Sequence, residues 1–154
     1  MVRIGKKVPN FLLPATGDQS ISLQDFSGTY LVLYFYPKDS TPGCTTESED
    51  FRDHYKLFLK AGANVLGVSR DSVKSHEKFK SRLNLPFELL SDPGEELCRQ
   101  FDVIREKTLY GRKFMGVERS TFLLDGEGVL RQEWRKVKVK GHADEVLQAV
   151  QSLN

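Results

Sequence analysis

From Tyr30 to Tyr36 the chain reads YLVLYFY, seven apolar or aromatic residues in a row, the pattern of a strand buried on both faces. Shorter runs at 63–69 (ANVLGVS), 87–91 (FELLS) and 120–125 (STFLLD) predict further strands. A fifth, over 128–139 (GVLRQEWRKVKV), alternates apolar and charged residues late in its length, as a half-exposed strand does. Between these runs the period lengthens to that of a helix. Phe51, Tyr55, Phe58 and Leu59 fall at i, i+4, i+7 and i+8, one face of a helix covering 42–61. Val73, Phe79 and Leu83 predict a second helix, Leu97, Phe101 and Ile104 a short third, and Val146, Leu147 and Val150 a C-terminal one. DGEG (125–128) reads as the turn of a hairpin. This alternation predicts an α/β fold whose sheet has a parallel and an antiparallel part. With 154 residues and no repeat, linker or low-complexity tract, one domain spanning 1–154 is expected.

Composition narrows the classes. Hydrophobic residues at 39% and charged residues at 29% fit a globular domain rather than a disordered or membrane chain. A net charge of +2 does not by itself call for a polyanionic partner. The basic run RKVKVK (135–140) alternates with Val137 and Val139, so it reads as the solvated outer face of an edge strand, not as a nucleic-acid site. MVRIGKKVPNF has no apolar run long enough for a signal peptide, and YLVLYFY is strand-sized, so no membrane span is expected. Two cysteines, Cys44 and Cys98, do not make a secreted disulfide framework. A cytoplasmic setting is therefore expected, where a thiol stays reduced and can serve as a reagent.

Cys44 stands in a telling place. The central strand ends at Pro37, Thr41 suits a helix N-cap, and Pro42 suits the first helical position, where its missing N–H costs nothing. Cys44 then falls in the first turn, beside unbonded N–H groups and the positive end of the helix dipole, which favour thiolate over thiol. Open α/β folds carry their sites at this end of the sheet. The position alone also suits a small packing residue, and a helix N-terminus can bind phosphate. Neither a P-loop nor a GxGxxG is present to support nucleotide binding.

Pro37, Thr41 and Cys44 follow the spacing proline, three residues, threonine, two residues, cysteine. This resembles the peroxidatic motif of the peroxiredoxins, and TPGCTTE with FRD, GVSRDS and GVERSTFLLD resemble their bacterioferritin comigratory protein (peroxiredoxin Q) branch. The resemblance runs from VPNFLLP to GHADEVL. It implies a thioredoxin-like fold of the peroxiredoxin type, a mixed central sheet flanked by helices, and reduction of hydrogen peroxide and organic hydroperoxides by Cys44. It further implies that Thr41, Cys44 and Arg119 act together while Pro37 shapes and shields the pocket. The chemistry suits those residues: charge builds on the departing oxygen, and donors aimed at it lower the barrier. Arg119 stays charged throughout. No metal or organic cofactor is implied. His54, His76 and His142 share no ligand spacing with one another or with the cysteines, and are expected at the surface or as caps.

The chain departs from the pattern in one respect. The product on Cys44 is a sulfenic acid, which must be reduced before it oxidises further. Members of the branch carry a resolving cysteine five residues on, here Glu49, or in the next helix, here Lys80. Cys98 is the only remaining candidate for a resolving cysteine, but beside the Leu97–Phe101–Ile104 stripe it reads as a half-buried packing residue. A bridge to Cys44 would need the two Cα atoms within about 7 Å. The expectation is a one-cysteine cycle in a monomer, with a thioredoxin, a glutaredoxin or a small thiol reducing the sulfenic acid. The competing reading, a thiol–disulfide oxidoreductase or redox-regulated chaperone on the same fold, lacks a CxxC pair.

Overall fold

The computed structural model describes residues 1–154. It opens with a hairpin absent from the pattern reading: β1 (Leu12–Ala15) and β2 (Gln19–Ser22) pair antiparallel across a turn in which Gly17 and Asp18 have φ of 82° and 53°. Pro14 interrupts the apolar run of β1, which hid it from a reading based on hydrophobic continuity. There follow β3 (Tyr30–Phe35), α1 (Pro42–Lys60), β4 (Ala63–Ser69), α2 (Val73–Leu83), β5 (Leu89–Ser91) and the short α3 (Glu96–Gln100). A second unannounced hairpin, β6 (Ile104–Leu109) and β7 (Arg112–Val117), forms a separate two-stranded sheet. The chain ends with β8 (Ser120–Leu124), β9 (Leu130–Trp134) and α4 (His142–Ser152).

The main sheet has the order β2-β1-β5-β4-β3-β8-β9. β3, β4 and β5 are parallel, and the pairings outside them are antiparallel. The result is the expected mixed sheet flanked by helices. β3 divides the core by its alternation. Leu31, Leu33 and Phe35 pack on one face with Leu97, Phe101 and Phe122; Val32, Tyr34 and Tyr36 pack on the other with Phe51, Phe58, Phe79 and Val146. Thus α1, α2 and α4 cover one face, while α3 and the base of the β6–β7 hairpin cover the other.

Several expectations are corrected. Ile104 begins β6 instead of extending the α3 stripe; Asp102, at φ 56°, ends that helix. The β6–β7 hairpin has no continuous apolar face toward the core: Ile104 and Val117 at its base are buried, but Leu109, Tyr110, Phe114 and Met115 toward its tip are exposed. On α1, Phe51 and Phe58 are fully buried, but Leu59, turned about 100° from Phe58, is exposed. The strand expected over 128–139 stops at Trp134, and the basic run leaves the sheet. Arg135 turns inward, donates to the carbonyls of Phe101 (2.9 Å) and Asp102 (2.8 Å), and lies over the Phe122 ring. Cys98 is fully, not half, buried. His76 and His142 are buried instead of lying at the surface.

Candidate active site

β3 ends at Phe35, and α1 starts seven residues later with Thr41 as N-cap (φ −86°, ψ 153°) and Pro42 in its first turn. The Thr41 hydroxyl does not cap the helix; it donates to the Lys38 carbonyl at 2.8 Å. The first-turn N–H groups of Gly43 and Cys44 therefore keep their free donor capacity. Cys44 is 1% exposed and packs in the cluster on the α1 face of β3, with Pro37 half-buried at the start of the turn before it.

Arg119 reaches this turn through the sheet. β8 runs antiparallel beside β3 with Phe35 opposite Ser120, so the residue preceding β8 arrives where β3 ends. Its backbone carbonyl is held by the Val137 N–H at 3.0 Å. The guanidinium makes two separate contacts: Nη2 donates to Cys44 Sγ at 3.3 Å, and Nη1 donates to Glu47 Oε1 at 2.7 Å. Gly43 allows this approach, since a Cβ there would sit 3.1 Å from Arg119 Nη2.

Glu47 was not singled out by the motif, although it lies in the same TPGCTTE segment. Its spacing from Cys44, i+3 on one helix, puts both side chains on one face, and that was the available signal. Glu47 is buried, its Oε2 has no hydrogen-bond partner, and burial raises its pKa to about 7 against the pull of Arg119. Around the site, burial and the charge of Arg119 lower Lys107, whose Nζ donates to the Val117 carbonyl at 2.6 Å. The same two causes bring His142 down to about 4, so its ring is neutral at pH 7, bonded through Nε2 to Thr121 Oγ1 at 2.7 Å.

The other sequence candidates lie elsewhere. Glu49 is half-buried, 3.9 Å from Arg52, and Lys80 pairs with Glu88. Cys98 belongs to the cluster on the opposite face of the sheet from Cys44, and both thiols are free. Burial, then Asp92, raises the Cys98 pKa, so that sulfur stays a protonated packing group. His54 stands alone, with Nδ1 2.7 Å from the Asp50 carbonyl. His76 approaches Asp39 and Asp71 with ligand-type atoms within 4.8 Å of one another, but the three are engaged in hydrogen bonds to protein groups.

Residues 4–133 match the AhpC/TSA family. Peroxiredoxin Bcp of Xanthomonas campestris pv. campestris is 56% identical over 140 residues, which cover 91% of this chain and 88% of that protein. Peroxiredoxin Bcp of Bacillus subtilis is 50% identical over 153 residues, covering 99% and 98%. Among solved structures, Xanthomonas campestris peroxiredoxin Q is similar with a TM-score of 0.88 at 56% identity, covering 92% of this chain and 90% of that one. Trapped intermediate and ligand complex structures of the Xanthomonas campestris bacterioferritin comigratory protein concern alkyl peroxide reduction by that protein. They match with a TM-score of 0.89 at 55% identity, covering 93% and 91%.

Proposed function

The chain belongs to the AhpC/TSA family as a peroxiredoxin of the Bcp (peroxiredoxin Q) branch, a thiol-dependent peroxidase, and from that premise we propose that Cys44 is its peroxidatic thiol. The observation that carries the assignment is the contact of Arg119 Nη2 with Cys44 Sγ, with the other arm of the guanidinium fixed on buried Glu47. A planar cation held at both ends favours negative charge on the sulfur without exchanging protons.

The thiolate attacks one peroxide oxygen. The S–O bond forms as the O–O bond breaks, sulfur is oxidised by two electrons to a sulfenic acid, and the departing alkoxide or hydroxide takes up a proton. Arg119 and the Gly43 and Cys44 N–H groups are the donors for the charge growing on that oxygen. Thr41 orients the peroxide from the N-cap, and Pro37 shields the turn. An external thiol then condenses with the sulfenic acid, releasing water and leaving a mixed disulfide. A second thiol releases the Cys44 thiolate and carries away the disulfide. The sheet lying between the two cysteines supports this one-cysteine cycle over a Cys44–Cys98 bridge.

The reductant is a thioredoxin, a glutaredoxin or a small thiol, acting on a monomeric, single-domain protein in the cytoplasm. No helix is long and apolar enough to cross a membrane. The test is peroxide consumption with excess small thiol: Cys44→Ser should abolish it and Cys98→Ser should keep it. Activity surviving in Cys44→Ser would overturn the assignment.

A further inference from the structure

Asp39 and Ser40 stand between β3 and α1, directly ahead of Thr41 and Cys44. Ser40 has φ of 64°, a left-handed conformation that strains a residue with a side chain and persists where the surroundings impose it. Asp39 supplies the constraint. Its buried carboxylate accepts from the Tyr36 hydroxyl at 2.6 Å and the Ser75 hydroxyl at 2.8 Å, and lies 2.7 Å from His76 Nδ1. Its backbone N–H donates to Asp71 Oδ2 at 2.9 Å. His76, on the first turns of α2, is completely buried, and its Nε2 lies 2.8 Å from the Leu90 carbonyl of β5. One ring thus ties the turn carrying the thiol to α2 and to the sheet.

We propose that His76 is a positioning residue for peroxide reduction: through Asp39 it fixes the turn over 39–41 and so sets where Thr41 and Cys44 stand. The proposal rests on Cys44 being the peroxidatic thiol. Small displacements at a reacting centre are costly, up to about a hundredfold for 1 Å. A bond that locks a strained residue next to Thr41 is therefore a bond the rate should feel. The competing role is purely structural, in which His76 only pins α2 to β5 through Leu90.

The two ring nitrogens allow the roles to be separated. An asparagine amide can stand in for Nδ1 and keep the donor to Asp39, whereas a glutamine amide can stand in for Nε2 and keep the donor to Leu90. Both variants lose one buried polar contact and both should melt lower. The readout is the single-turnover rate constant for oxidation by hydrogen peroxide, measured on folded protein beside wild type and Cys44→Ser. His76→Asn should stay within about threefold of wild type, and His76→Gln should fall by about tenfold or more. Equal rates in the two variants, whether both fast or both slow, would overturn the positioning role. If His76→Gln does not fold, Asp39→Asn is measured in its place: a tenfold loss supports the proposal and an unchanged rate overturns it. Activity in Cys44→Ser would instead overturn the peroxidatic reading, and the positioning role with it.

Discussion

Arg119 illustrates how little a residue's identity says without its partners. In the sequence it is one of many cations; in the fold its two terminal nitrogens divide between Cys44 and Glu47. Lysine cannot make both contacts, so Arg119→Lys should lower kcat/KM for peroxide by roughly 10²–10³, the usual loss for one transition-state donor. A stopped-flow rate within threefold of wild type would contradict that. Glu47 carries a pH signature. Its pKa rises from 4.5 to about 7 on folding, mainly through burial, so the folded chain holds a proton that the unfolded chain releases. The stability this group contributes is fully present below its unfolded value and is lost as pH rises through about 7. Glu47→Gln removes the loss. Its stability relative to wild type should therefore grow between pH 5 and pH 8, by on the order of 3 kcal/mol. Denaturant melts across that range check it, and a pH-independent difference would contradict it.

Among the elements, α1 does the positioning, and Gly43 is where its geometry is most constrained. Gly43→Ala improves local helix propensity, but its Cβ would press on Arg119 Nη2. The melting temperature should hold while the peroxide rate falls on the order of tenfold; parallel melts and kinetics would show whether the two part company. The helix start was legible because Thr41, Pro42 and the apolar face of α1 all mark it, and the motif pointed to Cys44 within it. The strands β3, β4 and β8 were equally plain as continuous apolar runs. What escaped was what hydrophobic pattern does not encode. The β6–β7 hairpin turns the apolar residues of its tip outward, β1 contains a proline, and the basic run after Trp134 leaves the sheet, with Arg135 donating to two carbonyls. The buried polar contacts of Glu47, His76 and His142 join distant or ordinary-looking residues, and only the packed structure brings them into view.

For the molecule as a whole, the decisive feature is β3 as a wall between two half-cores. It puts Cys44 and Cys98 on opposite faces, with the sheet between the two thiols. Cys98→Ser should keep peroxidase activity and lower stability by only about 1 kcal/mol, because the more polar hydroxyl enters an apolar cluster but finds Asp92 beside it as an acceptor. Equilibrium unfolding measures that loss. The most direct test of the one-cysteine account is intact-mass and peptide mass spectrometry after one equivalent of hydrogen peroxide, with no thiol added and a sulfenic-acid trap present. The account predicts the trap adduct on Cys44 and an untouched Cys98. A loss of two hydrogens per chain, mapped to a Cys44–Cys98 disulfide, would contradict it.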